Sequence, residues 1–244
     1  MALNFSLDSL LEQSLLTEDP WWVYILNGAW WTIGLTIAAF ALALLIGIIV
    51  GTLRTAPNKF VRGLCEAWIE LFRNIPLIVQ IFIWYFVVPE LVPWYKDWLI
   101  EVDPAVGQFV TAFICMGLFT SSRIAEQVRA GISSLPRGLP NAAKALGFTT
   151  VQAYAQVVLP MAMRLIVPPL TSESMNLVKN TAVAMTIGLP ELTMRANEMG
   201  ENTFTFFAAY LWATILYIII ALVVNQLMAW VEKKSVIPGF IAAK

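Results

Sequence analysis

The sequence predicts an all-α membrane protein with five transmembrane helices, its N-terminus outside and its C-terminus in the cytoplasm. Of the 244 residues, 59% are hydrophobic and only 13% are charged, and the mean hydropathy is +0.74, outside the usual range for a soluble domain. Apolar runs recur along the chain at lengths that suit the hydrocarbon core of a bilayer. Basic residues concentrate in every second loop between these runs, and this pattern sets the orientation.

The five predicted spans leave no hydrophilic stretch long enough for a second domain. The first span begins near aromatic residues, between Trp21 and Trp31, that are typical of a membrane interface. Pro76 lies about a third of the way along the second span, where it interrupts the hydrogen-bond ladder, so we expect two helical pieces there. In chain order the predicted spans are residues 28–53, 64–88, 105–120, 165–187 and 204–231.

Two glycines near the end of the first span stand four residues apart. Gly47 and Gly51 form a pair of small residues that allows a neighbouring helix to approach closely. Glycine is also generally common in membrane helices, and the spacing alone does not decide between these readings.

Lysine and arginine counts determine the predicted orientation. The six segments outside the spans hold zero, three, one, five, one and three basic residues in chain order. Because cytoplasmic loops carry the excess of positive charge, we expect residues 1–22 to be a periplasmic segment, residues 23–235 a single transmembrane domain and residues 236–244 a cytoplasmic tail. The N-terminal segment has acidic residues but no basic residue before Arg54, unlike a cleaved signal peptide, so the first span is expected to direct insertion.

Several function classes are excluded by what the sequence lacks. It contains no histidine, and Cys65 and Cys115 do not form a ligand cluster or a disulfide framework, so we expect no metal site. It has no G-x-x-x-x-G-K-[ST] phosphate-binding motif and no hydrolase motif, so we predict a transport subunit and not an enzyme. With a net charge of −1 and scattered basic residues, nucleic-acid binding is not expected.

The stretch from Pro136 to Pro160 is the longest basic, hydrophilic interruption of the chain. Pro140 can start a helix, since proline there removes only an amide that would be unpaired. Gly147 suits the left-handed end of a helix, which predicts a helix of about seven residues, roughly 10 Å long. Thr149 and Gln152 fit a capping box for a second helix. A capped helix this short is too small to enclose a substrate, so we interpret it as a docking element. The alternative is an ordinary interfacial connector.

The run NAAKALG, followed by VVLP, resembles the cytoplasmic EAA loop of ABC importer permeases. Asn141 replaces the acidic residue of that pattern. The segments 72–82, 121–138 and 168–188 resemble the polar amino-acid subfamily of these permeases, and most closely the permeases of bacterial glutamate/aspartate importers. The matching loop positions are Asn141, Ala142, Ala143, Gly147, Val157, Leu159 and Pro160.

This resemblance implies an ABC type I importer permease fold in the bacterial inner membrane. It also implies a second permease subunit, two ATP-binding subunits and a periplasmic substrate-binding protein as partners. The partner ATPase uses ATP, and this chain holds no cofactor. Glutamate and aspartate are the expected cargo, moved by alternating access. The expected ATPase-coupling residues are Pro140, Asn141, Ala142, Ala143, Gly147, Leu159 and Pro160.

An ionisable residue inside a membrane span is costly and is a candidate for function. Lys179 lies about fourteen residues into its predicted span, roughly 20 Å along the helix, too far for its amine to reach the cytoplasmic surface. We predict that it lines the substrate path with Asn176, Asn180 and Thr181, where a cation can meet a carboxylate. Glu173 is available to hold an ammonium group or to pair with Lys179, although their spacing does not place them on one face of an unbroken helix. A structural ion pair or a subunit contact of Lys179 is the alternative.

Other charged residues near the cytoplasmic side have simpler interpretations. Arg73, just before Pro76, is interpreted as a membrane anchor, although a broken helix can also face a substrate cavity. Arg123, Glu126 and Arg129 are expected to form a structural cluster.

Two other function classes remain open at this stage. An ion-coupled secondary transporter would need more spans or an inverted repeat, which the sequence does not show. A non-transporting structural membrane subunit would leave no reason for Lys179 or for the broken span.

Overall fold

The computed structural model describes residues 8–12, 14, 16, 19–136 and 138–235, and all regular elements within them are helical. The rest of the predicted N-terminal segment and the predicted tail lie outside the described residues. After a single turn at Asp8–Leu11, the helices are α1 (Trp21–Leu53), α2 (Lys59–Asn74), α3 (Leu77–Leu91), α4 (Pro93–Glu101), α5 (Pro104–Ser133), α6 (Leu139–Ala145), α7 (Thr150–Ile187), α8 (Leu192–Thr203) and α9 (Phe206–Ser235).

Within the described residues, four helices are each long and apolar enough to cross a membrane, namely α1, α5, α7 and α9, and the broken pair α2 and α3 adds a fifth candidate. The predicted helical fold is confirmed for this part of the chain. Several helices extend beyond their predicted spans, and the largest extensions are at the start of α1 (Trp21), the end of α5 (Ser133) and the start of α7 (Thr150). Hydropathy locates only the apolar part of a helix, whereas the backbone ladder continues into polar residues that also favour helix.

The predicted break in the second span is confirmed. Helix α2 ends at Asn74, Ile75 is extended with φ −92° and ψ 129°, and α3 begins after Pro76. The proline ring disfavours the helical conformation of the residue before it, so the break falls at Ile75.

Two π-helical segments interrupt α3 and α7, at Ile83–Val87 and Tyr154–Val158. Each segment ends two residues before a proline, Pro89 or Pro160, and the next amide donates to the carbonyl five residues back. A proline cannot donate to the carbonyl four residues earlier, and its ring collides with that carbonyl. We attribute the wider turns to this conflict, because they let the helix continue through the proline. The second helix of the loop, which begins at Thr150, therefore runs on through Pro160 to Ile187.

The chain divides into two compact units, of which unit 1 comprises residues 1–39, 76–116 and 176–223. Its core contains fully buried apolar side chains from α1, α3, α5, the α7–α8 connection and the start of α8, among them Leu35, Ile81, Met116, Leu189 and Leu192. The buried Thr32 hydroxyl accepts a hydrogen bond of 3.2 Å from the Leu192 amide, which fixes the start of α8 against α1.

A second contact between α1 and α8 combines an aromatic ring with an ion pair. The Arg195 guanidinium lies 4.1 Å from the centre of the Tyr24 ring, and it pairs with Glu198 at 3.1 Å. The Tyr24 hydroxyl donates to Glu198 at 2.6 Å. A Cβ at Gly28 would lie 2.8 Å from the Arg195 Cγ, so only glycine leaves room for this arginine.

Unit 2 comprises residues 40–75 and 117–175 and the chain from 224 onward. Its core is a buried aliphatic cluster from α1, α5 and α7 that includes Ala43, Ile124, Val128, Val158 and Ile166. The glycine pair of α1 makes this packing possible. A Cβ at Gly47 would lie 2.7 Å from the Ile124 Cβ, and one at Gly51 would lie 2.5 Å from the Ala125 carbonyl oxygen. The close helix approach allowed by the Gly47 and Gly51 spacing is thus confirmed.

Ion pairs join α1, α2 and α5 within unit 2. Arg54, at the end of α1, pairs with Glu126 and lies 3.6 Å from a carboxylate oxygen of Glu66. Glu126 also accepts from Arg129 at 2.6 Å. The predicted structural cluster is therefore present for Glu126 and Arg129, but Arg123 pairs with Glu173 on α7 instead.

Candidate functional site

Helix α6 spans seven residues, Leu139–Ala145, as the sequence predicts, and is called the loop helix below. Pro140 lies in its first turn, where an amide has no intrahelical acceptor. The helix begins after Gly138, whose backbone is already helical with φ −75°.

The loop helix ends in a turn with two hydrogen bonds of the Schellman type. The Phe148 amide donates to the Ala143 carbonyl at 3.2 Å, and the Gly147 amide donates to the Lys144 carbonyl at 2.9 Å. Gly147 adopts φ +91°, so the predicted left-handed glycine is confirmed.

A second helix follows the turn at once. The Thr149 hydroxyl accepts from the Gln152 amide at 3.3 Å, and the Gln152 side chain accepts from the Thr149 amide at 2.9 Å. Both bonds of the predicted capping box are present. The two helices are thus joined by a tight, fully capped connection.

The loop helix presents most of its surface to solvent. Ala143 is only 4% exposed and faces the protein, while Asn141 and Ala142 are exposed. Two large apolar side chains on either side of the turn are exposed to solvent, Leu146 to 80% and Val151 to 77%. Together these two side chains place exposed apolar area on an otherwise hydrophilic loop, a feature also found at surfaces that bind a protein partner.

Sequence reasoning did not identify Leu146 and Val151 as part of this surface. Leu146 stands at the usual spacing from Leu139 and Ala143 for one helical face, which would bury it. The helix instead stops at Ala145, and Leu146, its C-cap residue, is exposed. The signal that identifies it is its place immediately before the glycine.

A small apolar cavity of about 320 Å³ lies beside the second helix of the loop. Its wall includes Leu53 and Pro57 from the end of α1 and the turn after it, and Val151, Tyr154 and Leu159 from α7. The predicted loop residues Leu159 and Pro160 thus belong to the supporting helix α7 and not to the protruding turn.

The predicted substrate-path residues lie at the end of the α-helical part of α7. Lys179 is exposed and forms no ion pair with any residue that the structure describes. Asn176 and Asn180 are half-buried, and Thr181 is fully buried with its hydroxyl donating to the Val178 carbonyl at 2.7 Å. These four residues are therefore close in sequence and differ in exposure.

Glu173 does not join Lys179. It is 7% exposed and accepts from Arg123 at 2.8 Å and from Gln127 at 3.1 Å. The α-helix is unbroken from Leu159 to Asn180, so six residues place Glu173 and Lys179 on different faces.

The backbone changes directly after Lys179 and Asn180. Residues Thr181–Ile187 form a 3₁₀ segment, which ends at Gly188 with φ +87°. A 3₁₀ segment at the C-terminal end of a helix is common, but one of seven residues is unusually long.

Glu191 is a buried carboxylate that sequence reasoning counted only as a loop charge. It is 0% exposed and accepts hydrogen bonds from the Thr193 and Met194 amides and, at 2.6 Å, from the Tyr217 hydroxyl. Burial raises the pKa of the Glu191 carboxyl, and these hydrogen bonds oppose that rise. Glutamate is not among the residues favoured at a helix N-cap, so the sequence gives little signal for this role.

Comparison with known proteins gives a consistent result. The family model described as "Binding-protein-dependent transport system inner membrane component" matches residues 43–236. The chain is 43% identical over 249 residues to the glutamate/aspartate import permease protein GltJ of Escherichia coli K12, with 100% of both chains covered. It is 27% identical over 213 residues to the glutamate/aspartate import permease protein GltK of Escherichia coli O6:H1, covering 87% of this chain and 93% of that protein.

A solved structure shares the fold. The crystal structure of an amino acid ABC transporter with histidines matches with a TM-score of 0.72 and 24% sequence identity, over 87% of this chain and 94% of that chain.

Proposed function

Since the chain belongs to the family of binding-protein-dependent transport system inner membrane components and is a permease subunit of an ABC amino-acid importer, we propose that its cargo is glutamate and aspartate. The observation that carries this cargo is the 43% identity, over the full length of both chains, to a permease named for these two amino acids. The resemblance to ABC importer permeases seen in the sequence is confirmed by the family match.

The chain is a transport component and not an enzyme, as the sequence predicts. In this family the ATPase is a separate subunit, so ATP is hydrolysed outside this chain. Family membership is incompatible with the ion-coupled and the non-transporting alternatives.

Within this function, the loop helix docks on the ATP-binding subunit and relays its movement to the spans. The support is the exposed surface around Ala142, Leu146 and Val151, held on a capped helix that ends at a left-handed glycine. A rigid helix with apolar side chains at its tip suits insertion into a groove of a partner protein. Leu159 and Pro160 support this helix from α7.

Five spans, with the N-terminus outside and the C-terminus inside, complete the proposal. The charges of the predicted loops in each unit support this orientation. Unit 1 contains the loops predicted outside, and its described residues include three basic and ten acidic residues. Unit 2 contains the loops predicted inside, and its described residues include ten basic and five acidic residues. An excess of basic residues in the segments predicted to lie inside is what the positive-inside rule requires.

The chain works in a complex in the bacterial inner membrane. We expect a second permease subunit, two ATP-binding subunits and a periplasmic substrate-binding protein. Two differently named permease proteins for glutamate/aspartate import, GltJ and GltK, both resemble this chain, which supports a pair of related permeases. Closure of the ATP-binding subunits moves the loop helices and alternates access to the path.

Lys179 is proposed to attract the cargo in the substrate path. Its amine has no carboxylate partner among the described residues, so it is free to meet the carboxylate of an amino acid. Asn176 and Asn180 lie beside it, and the 3₁₀ segment beginning at Thr181 supplies a place where the helix can bend. Glu173 is proposed to act near this path only through its pair with Arg123.

Proteoliposomes test the proposed cargo. The complete complex, with ATP inside and binding protein outside, should accumulate labelled glutamate and aspartate but not glutamine, and only with ATP. Accumulation without ATP, or of glutamine alone, would overturn the assignment.

Lys179→Met tests the path in the same vesicles. Loss of the ammonium group should raise the half-saturating concentration of glutamate by roughly tenfold, as expected for one charge-assisted hydrogen bond. Lys233→Met, which removes an exposed lysine near the end of α9 and outside both the loop helix and the predicted path, is the charge-matched control for cargo affinity. An unchanged affinity for glutamate in Lys179→Met would show that Lys179 does not contact the cargo.

A further inference from the structure

A polar cavity lies within unit 2, and it shares no wall residue with the apolar cavity beside the loop. It has a volume of about 270 Å³, and its wall is formed by Arg73, Arg123, Glu126, Gln127, Ala130 and Glu173. Five of these six side chains are charged or polar. Such a convergence at the end of membrane-spanning helices is costly unless the groups serve a ligand or one another.

Both carboxylates of this cavity already have cationic partners. Glu126 accepts from Arg54 and Arg129. Glu173 accepts from the Arg123 Nε at 2.8 Å and from the Gln127 amide at 3.1 Å. Neither Glu126 nor Glu173 therefore needs Arg73 as an ion-pair partner.

Arg73 is the unpaired charge of the wall. Its side chain is exposed and makes no ion pair with a residue that the structure describes. Arg123 uses only its Nε toward Glu173 and keeps both terminal nitrogens available. A guanidinium group carries five donors in a planar fork that matches a carboxylate. The cavity thus has two guanidinium groups, each of which can bind an anionic group.

The wall also holds a free acceptor. The Gln127 Oε1 atom is buried and has no hydrogen-bond partner among the described residues. A buried acceptor without a donor carries a desolvation cost, which an ammonium group from a ligand would remove. The Nε2 atom of the same Gln127 side chain donates to the Glu173 carboxylate, so the free Oε1 atom lies beside that carboxylate.

Charge counting selects the ligand class. The cavity and the residues paired with it contain four arginines, Arg54, Arg73, Arg123 and Arg129, and three glutamates, Glu66, Glu126 and Glu173. The surplus is one positive charge. An acidic amino acid has two carboxylates and one ammonium group, which balances this surplus, whereas a neutral amino acid leaves it uncompensated.

We propose that this cavity is an acidic amino-acid site in which Arg73 and Arg123 bind the two carboxylates and the Gln127 Oε1, beside Glu173, accepts the ammonium group. The inference rests on the proposed function, because the site would hold the cargo near its release into the cytoplasm. It assigns a binding role to Arg73, which the sequence suggested as an anchor, and makes Glu173 a positioning residue for Arg123 and Gln127.

Equilibrium binding of labelled glutamate tests this site in the complete complex in lipid nanodiscs, without the binding protein and without ATP. Arg73→Gln removes the unpaired guanidinium and should weaken glutamate binding by about tenfold or more. Arg62→Gln, an exposed arginine on the same helix α2 and outside the cavity, is the matched control and should change the affinity less than about twofold.

A second variant distinguishes recognition of the ammonium group from recognition of the carboxylates. Gln127→Leu should weaken binding of glutamate and leave binding of glutarate, which lacks the ammonium group, nearly unchanged. Equal losses for both ligands would indicate general damage to the wall and would contradict the assignment of Gln127.

The two proposals fail in distinguishable ways. Glutamate uptake that requires ATP, together with glutamate binding that is normal in Arg73→Gln but lost in Lys179→Met, would keep the proposed function and refute this site. Binding that disappears in Arg73→Gln while ATP-driven uptake by the intact complex shows no acidic cargo would keep the site and refute the proposed cargo.

Discussion

The left-handed backbone of Gly147 allows the effect of one methyl group on the loop helix to be estimated. At φ +91°, an L-residue with a Cβ is strained by roughly 1–2 kcal/mol. No heavy atom lies within 4 Å of a Cβ placed there, so the cost of Gly147→Ala arises from the backbone alone and not from a clash. That energy should raise the population in which the turn is open by about five- to thirtyfold.

Hydrogen exchange of the loop amides measures this opening directly. The Leu146 and Phe148 amides donate to carbonyls of the loop helix only while the turn is closed, so both should exchange about five- to thirtyfold faster in Gly147→Ala. Gly138→Ala is the control, because Gly138 has φ −75° and open space for a Cβ. Substrate-stimulated ATPase activity should fall in Gly147→Ala and remain in Gly138→Ala. Equal exchange rates and equal stimulation in the two variants would refute the role of the left-handed turn.

Three further predictions concern stability and use thermal unfolding in one detergent. Gly51→Ala places a Cβ 2.5 Å from a backbone oxygen, so its Tm should be lower than that of Gly63→Ala, whose Cβ meets open space; equal values would contradict the close helix contact. Arg54→Gln should lower the free energy of unfolding by ~1–3 kcal/mol, because Glu126 loses one of its arginine partners. A Tm equal to that of Arg62→Gln would show that this ion pair does not contribute to stability. Because burial raises the Glu191 pKa in the folded chain, its stabilising contribution is present at low pH and is lost as the pH rises through that value. Lowering the pH from about 7 to about 5 should therefore raise the Tm of the wild type relative to Glu191→Gln, whereas parallel curves would exclude this linkage.

The features predicted well are those with local causes. Gly147 and the Thr149–Gln152 capping box are set by conformations and hydrogen bonds within a few residues, and the structure contains both. The break at Ile75 follows in the same way from the proline after it.

The features that were missed depend on contacts between distant parts of the chain. Glu173 pairs with Arg123, 50 residues away, and no spacing within α7 reveals that partner. Glu191 is buried against Tyr217, 26 residues further along the chain, although it lies in a segment predicted to be a loop between two spans. The ends of the helices were predicted wrongly for another reason. Hydropathy detects only apolar residues, whereas the backbone hydrogen bonds of a helix continue into polar residues. The exposure of Leu146 depends on where the loop helix stops, which periodicity does not specify.

Docking of an ATPase on the loop helix is the central claim, and copurification tests it most directly. The tagged chain is purified in mild detergent from membranes that contain all subunits of the complex, and the eluate is assayed for ATPase activity. The informative change is Leu146→Glu, since Leu146 is 80% exposed, whereas Ala143 is 4% exposed and its replacement would disturb the helix itself. Phe204→Glu is the control, because Phe204 is 88% exposed and lies at the outer end of the fifth predicted span, away from the cytoplasm.

We expect ATPase activity to elute with the intact chain and with Phe204→Glu, and to be lost with Leu146→Glu. Activity that elutes equally with all three proteins, or with none of them, would contradict docking through the loop helix.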